Sequence, residues 1–253
     1  MREIKVLSLL SCLVFLSLML TNCSQKKLIQ PKKENTLTQI EKADGWILLF
    51  DGQTSDGWRA YKKDYFPSGW IIEQGAIKCL ASGNTGGSTE GGDIIYNQKY
   101  DNFHLKLDWK ISKAGNSGVF YRAKEKLDYI WKTAPEFQIL DNENYSDADL
   151  GVGNKRKAGA LYDLISAVPQ NANKYGEWNQ IEILAQNDLI TYKMNGEKIL
   201  SFRLWTQKWN DMVAKSKFPE LNPDWANVAK NGYIGFQDHG DNVWFRNIKI
   251  KEL

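Results

Sequence analysis

The chain carries two histidines among 253 residues, which by count excludes a three-imidazole zinc site. His239 stands in Gln237-Asp238-His239-Gly240, a loop directly after a candidate strand, where an imidazole can act as base, acid or metal ligand. His104 falls on the polar side of a strand pattern and reads as a surface residue. Glu136 opens the run Glu136-Phe137-Gln138-Ile139-Leu140-Asp141. Side chains alternate along a strand, so Glu136 and Gln138 share one face while Phe137 and Ile139 point to the core. Glu136 is therefore either a proton-transfer group held by a strand or an ordinary solvated carboxylate. Arg122 closes a glycine-led strand, Gly118-Val119-Phe120-Tyr121-Arg122, as an always-charged planar donor or as half of a salt bridge. Asp141 begins an acidic stretch, ending at Asp149, that offers hard oxygen ligands to Ca²⁺ or a related divalent cation. That stretch lacks EF-hand spacing, and a solvated loop explains it as well. No Gly-x-Ser-x-Gly elbow and no phosphate loop occur. Gly83, Gly86, Gly87, Gly91 and Gly92 form a turn with no helix behind it, read as a strand connection or a flap over a cleft.

The elements that must hold these groups are mainly strands. Phe103, Leu105, Leu107, Trp109 and Ile111 alternate with polar residues, as a half-buried antiparallel strand requires. Further strands are expected at 47–50, 75–80, 93–96, 118–122, 137–140, 179–184, 233–237 and 243–251. Runs at 189–194 and 197–202 flank Asn195-Gly196, a pair that tolerates the positive φ of a two-residue hairpin turn. One helix is expected near 205–215, where Trp205, Trp209, Met212 and Val213 share a face. With no βαβ alternation, this pattern predicts an all-β sandwich of two antiparallel sheets. Composition agrees, since 42% hydrophobic and 25% charged residues suit a chain that buries a large core. A net charge of +3, with no basic run interleaved with aromatics, argues against a nucleic-acid face. The 10 Trp and 11 Tyr are costly unless they pack or bind something, and carbohydrate is a ligand that rewards them.

The N-terminus reads as an address. Arg2 and Lys5 precede an apolar run from Val6 to Leu20, about 15 residues and too short to span a bilayer comfortably. Leu20-Thr21-Asn22-Cys23 then resembles a bacterial lipobox, with Asn22 where a small residue is usual. The expected arrangement is a signal peptide over 1–22, a lipidated Cys23 with a polar tether over 23–43, and one domain over 44–253. Such a protein is a membrane-anchored lipoprotein facing the periplasm, with the outer membrane as an option. Once Cys23 is acylated, Cys79 has no disulfide partner in the mature chain.

Six segments in order carry a resemblance: Gly45-Trp46-Ile47-Leu48-Leu49-Phe50-Asp51-Gly52 with Asp56-Gly57-Trp58, Asn116-Ser117-Gly118-Val119-Phe120-Tyr121-Arg122, Glu136 to Asp141, Gly159-Ala160-Leu161-Tyr162-Asp163, and Phe245-Arg246-Asn247-Ile248. Over 44–253 the chain resembles the 3-keto-disaccharide hydrolase family. The resemblance implies a concanavalin A-like jelly roll acting on glycosides already oxidised to a ketone at C3, by hydrolysis in some members and as 1,2-lyases in others. It also implies an upstream glycoside 3-dehydrogenase that supplies the substrate.

A C3 ketone acidifies the C2 hydrogen, so a base can remove that proton, charge develops on an enolate oxygen, and the C1 substituent leaves. Such a site needs a base at C2, a cation or metal facing the C3 oxygen, and an acid for the departing oxygen. Glu136 is the leading base, His239 the alternative base, and Arg122 the cation; a divalent cation at Asp141 is the one cofactor suggested. Trp131, just before Glu136, is the candidate sugar platform, with Gln138, Tyr162, Asp163 and Gln237 as substrate-binding groups. Laminarinase-type glycosidases of this fold carry Glu-x-Asp-x-x-Glu, but here the pattern is Glu-x-Gln-x-x-Asp. Glu136 and Asp141 lie roughly 16 Å apart if fully extended, against roughly 5 to 5.5 Å for a retaining pair. The rival readings are a noncatalytic carbohydrate-binding module and a conventional glycoside hydrolase of the same fold.

Overall fold

The computed structural model describes residues 33–83 and 91–253. The signal-like run, Cys23 and most of the glycine-rich turn lie outside the described residues. Among the described residues thirteen strands follow one another: β1 (Ile47–Leu48), β2 (Trp58–Ala60), β3 (Trp70–Glu73), β4 (Ala76–Cys79), β5 (Ile94–Tyr100), β6 (Phe103–Ile111), β7 (Asn116–Ala123), β8 (Glu136–Leu140), β9 (Asn179–Gln186), β10 (Leu189–Met194), β11 (Glu197–Arg203), β12 (Gly232–Phe236) and β13 (Val243–Glu252). Eight form one sheet in the order β11-β10-β9-β6-β13-β4-β3, with β1 on β13, and five form the other in the order β2-β5-β12-β7-β8. The pairings are antiparallel, as in the expected jelly-roll sandwich.

The alternation read in β6 becomes burial: Phe103, Leu105, Leu107, Trp109 and Ile111 enter the core, while His104, Lys106 and Lys110 stay partly exposed. From the second sheet Val119, Tyr121, Phe137, Ile139 and Phe236 meet this layer. The contacts that bridge the sheets include a Phe236–Phe245 ring stack at 3.9 Å and a hydrogen bond from Tyr192 Oη to Tyr121 Oη at 2.8 Å. The hairpin between β10 and β11 turns at Asn195 and Gly196, with φ of 50° and 85°, the geometry its turn chemistry demands.

One expectation fails in an informative way. Every residue of β7 and β8 is buried, because the outer face of the second sheet carries a cover of its own. A smaller cluster of Tyr61, Ile95, Phe120, Ala123, Ile130 and Ala134 packs there. Ile130 sits directly over Gly235, where an added Cβ would meet its Cδ1 at 2.6 Å. The short strands β2 and β3 escape sequence detection because three or four residues show too little of a period.

Among the described residues the α-helices are α1 (Gln39–Ala43), α2 (Gln207–Ala214) and α3 (Phe218–Leu221). In α2 the Thr206 hydroxyl accepts from Trp209 N–H (3.2 Å), and Trp209 and Val213 are buried. Trp205 lies before the cap with φ of 56°, so the expected four-residue face loses its first member. Phe202, Trp209, Trp225 and Phe218 stack in succession, at 5.7, 5.8 and 4.0 Å, and fix α3 against the body.

Residues 33–43, read from the sequence as part of a tether, pack on the domain. Asn35 and Asn247 exchange hydrogen bonds, Asn35 N–H to Asn247 Oδ1 (2.7 Å) and Asn247 N–H to Asn35 Oδ1 (2.8 Å). Glu41 pairs with Lys249, and Asp44 with Lys251 (2.6 Å). The residues from 33 to 44 therefore belong to the domain. Cys79 is a buried free thiol held protonated by burial.

Candidate active site

A cavity of about 790 Å³ opens on the outer face of the second sheet, a size suited to a small ligand. Its floor comes from β7, β8 and the end of β12, through Asn116, Glu136, Gln138 and Gln237. The turn anchored by Ile130 crosses that face and raises Tyr129 and Trp131 as one wall, their rings stacked at 5.3 Å. Tyr61 and Tyr65 after β2, and Lys217 and Phe218 at α3, complete the walls.

Glu136 sits opposite Phe120, and its side chain leans across the neighbouring strand over Gly118. An added Cβ at Gly118 would lie 2.2 Å from Glu136 Oε1, so the absent side chain is the space the carboxyl occupies. With its amide oriented to suit both neighbours, Gln138 donates to Glu136 Oε1 (3.1 Å) and to Ser117 O (3.0 Å). Burial pushes the Glu136 pKa up to about 8, against the opposing pull of the Lys217 ammonium. Asp93, just before β5, lines the same cavity and is pushed up to about 7, again by burial. It is held by the N–H of Asp238, which donates to Asp93 Oδ1 (3.1 Å). His239 is shifted the other way, below the ordinary imidazole value, because burial disfavours its cation despite nearby Asp241. Its Nδ1 lies 3.4 Å from Tyr145 Oη.

A polar network fixes the far wall. Tyr162 Oη donates to Asp147 Oδ2 (3.1 Å), and Lys217 Nζ donates to Tyr162 Oη (3.1 Å). Arg156 ties Asp147 (2.5 Å) to Asp163 (2.8 Å), and Asp163 Oδ2 lies 3.6 Å from Lys217 Nζ. Burial raises the Tyr162 phenol well above its ordinary value, so it stays a hydrogen-bonding group.

Six expected residues meet in this cavity: Glu136, Gln138, His239, Trp131, Tyr162 and Gln237. Asp163 stands behind the wall, where it positions Lys217 and Arg156. Arg122 requires correction. Its φ of 55° turns the fully buried side chain away from the cavity, where Nη2 donates to Asp101 O and Asn187 O (3.0 Å each). The guanidinium lies 5.0 Å from the Trp205 ring centroid, so it is a structural cation. Asp141 is also corrected. Its carboxylate accepts from Ala114 N–H (2.8 Å), Asn144 Nδ2 (2.8 Å) and Glu143 N–H (3.2 Å), which makes it the pin of a turn. Among the described residues no three His, Cys, Asp or Glu side chains are grouped to hold a metal ion.

Asp93, Asp238, Asn116 and Lys217 were not legible as site residues. Asp93 looks like the first residue of a strand, and Lys217 like the tail of a helix. Only the packing of α3 and the meeting of β5 with β12 bring them to Glu136.

The chain has relatives in both sequence and fold. A protein named 3-keto-disaccharide hydrolase from Bacteroides thetaiotaomicron is 43% identical over 251 residues, 91% of this chain and 86% of the relative. The solved structure of a candidate glycosyl hydrolase from Parabacteroides distasonis superposes with a TM-score of 0.77 at 34% identity, over 87% of this chain and 100% of that one. Another from the same bacterium gives 0.66 at 28% identity, over 82% and 99%. A family model for the 3-keto-alpha-glucoside-1,2-lyase-like domain matches residues 45–251, which take in the whole sandwich and the cavity on its second sheet, and the chain belongs to that family.

Proposed function

We propose that this protein cleaves the glycosidic bond of 3-keto-glycosides by removing the C2 proton and expelling the C1 substituent, with or without later addition of water. The observation that carries the reading is one cavity holding a neutral imidazole, a carboxyl that keeps its proton near neutrality, and an ammonium group. His239, uncharged through burial, takes the C2 proton. Lys217 faces the oxygen where enolate charge develops, the role expected of Arg122. Glu136, still protonated at pH 7, gives its proton to the departing oxygen, which makes it the acid where the sequence suggested the base. The aromatic walls seat the sugar ring and the leaving group.

Asp93 favours a second reading. Two carboxyls with raised pKa values lining one cavity also suit conventional inverting hydrolysis. Purified protein incubated with a 3-keto-glucoside and, separately, with its unoxidised parent decides between them. Aglycone release from the ketone alone is expected. Equal release from the parent would support the conventional route, and release from neither would leave a carbohydrate-binding module.

A further inference from the structure

We propose that Asp93 is the base that delivers water to C1 after the leaving group has departed, so that Asp93 and Glu136 together turn the elimination into a net hydrolysis at one site. This rests on the elimination reading above.

The sheet order places two strands, β12 and β7, between the strands that carry the two residues. Both side chains close that gap. Glu136 lies across Gly118 on β7, and Asp93 is held by the backbone of Asp238 just past β12. Gln237 N–H donates to Gly118 O (3.0 Å), which ties those two strands together beneath them. The carboxyl groups therefore approach one patch of the floor from opposite sides, and both face the cavity.

The chemistry needs such a pair. Elimination leaves Glu136 as carboxylate, His239 as imidazolium and the sugar as a 1,2-unsaturated 3-ketone, electrophilic at C1. The Asp93 carboxylate takes one proton from water as the water oxygen bonds to C1. The C1=C2 electrons move to the C3 oxygen beside Lys217, and the imidazolium returns its proton to C2, which restores the ketone. The pair holds one proton before and after, on Glu136 at the start and on Asp93 at the end, and exchange through water resets the site. Burial that makes both groups reluctant to ionise suits one proton shared between them. With the ring seated between the carboxyls, water arrives on the face opposite the one the leaving group quit, and C1 inverts.

The full-length protein is given a 3-keto-glucoside with a chromogenic aglycone. Aglycone, ultraviolet-absorbing enone and hydrated 3-keto-sugar are read separately, and the first-formed anomer is read by proton NMR. The wild type should yield the hydrated sugar with inverted configuration, and Asp93→Asn should raise the ratio of enone to hydrated sugar at least about tenfold. A structural role would slow both steps alike and leave that ratio unchanged, which overturns the proposal. Retention at C1 in the wild type also overturns it, and that measurement needs no folded variant. If the wild type releases no aglycone yet hydrates chemically prepared enone in an Asp93-dependent way, the elimination reading fails and Asp93 stands. Failure of both reactions sinks both.

Discussion

Glu136 and Gly118 occupy each other's space: the carboxyl of one lies where the side chain of the other would be, with Oε1 2.2 Å and Cδ 2.7 Å from an added Cβ. The obstructing atoms belong to a mobile side chain, so Gly118→Ala should keep the fold and displace the carboxyl. A misplacement of about 1 Å can cost about a hundredfold in rate. Turnover of a 3-keto-glucoside should fall at least about tenfold with thermal stability nearly unchanged, as calorimetry alongside the assay would check.

Glu136→Gln and His239→Asn should each lower turnover by about 10² to 10⁴-fold, the range of a positioned acid or base. They should differ with leaving group. An aglycone of low pKa needs no acid, so it should rescue Glu136→Gln and leave His239→Asn slow. A primary isotope effect with C2-deuterated substrate should accompany His239→Asn.

The raised pKa of Glu136 has a sign in stability. The unfolded carboxyl titrates near its ordinary 4.5 and the folded one near about 8. The protein therefore binds more protons folded than unfolded between these values, and the contribution of Glu136 to stability is complete below the lower and lost as pH rises to the upper. Glu136→Gln removes that dependence. The Tm of the variant relative to wild type should rise from pH 4.5 to 8 and then level, and a Tm difference independent of pH would contradict the burial of this group. Turnover should fall above about pH 8 as the acid is lost.

Arg122→Lys should leave kcat/KM unchanged and lower stability. The lysine cannot reproduce both carbonyl contacts and the stack on Trp205. A loss of about 1 to 3 kcal/mol is expected for charged hydrogen bonds of this kind. Denaturant unfolding and a turnover assay on the same preparation separate the two effects.

Leu20-Thr21-Asn22-Cys23 resembles a bacterial lipobox, so we propose that Cys23 carries the anchor and that Cys23→Ser releases the protein from membranes into the soluble periplasmic fraction. Fractionation with and without detergent reads the outcome, and membrane association that survived the substitution would count against the anchor.

Strand identity was legible in the sequence because burial acts through a period of two. The alternation in β6, the Asn195-Gly196 turn, and the facing of Glu136 and Gln138 away from Phe137 and Ile139 all follow from local geometry. The same logic placed Arg122 wrongly, because one residue at positive φ breaks the alternation and no pattern in Gly118-Val119-Phe120-Tyr121-Arg122 announces it. What tertiary structure alone decided is the company the site residues keep. Asp93 shares a cavity with Glu136 only because β5 and β8 flank β12 and β7 in one sheet, and Lys217 reaches the cavity only because Trp209 and Trp225 stack α3 into place. The chemistry followed that company. A carboxylate on a strand becomes an acid that holds its proton near neutrality when a covering layer of Tyr61, Phe120 and Ile130 removes water from its surroundings, and desolvation is a property of the assembled layers.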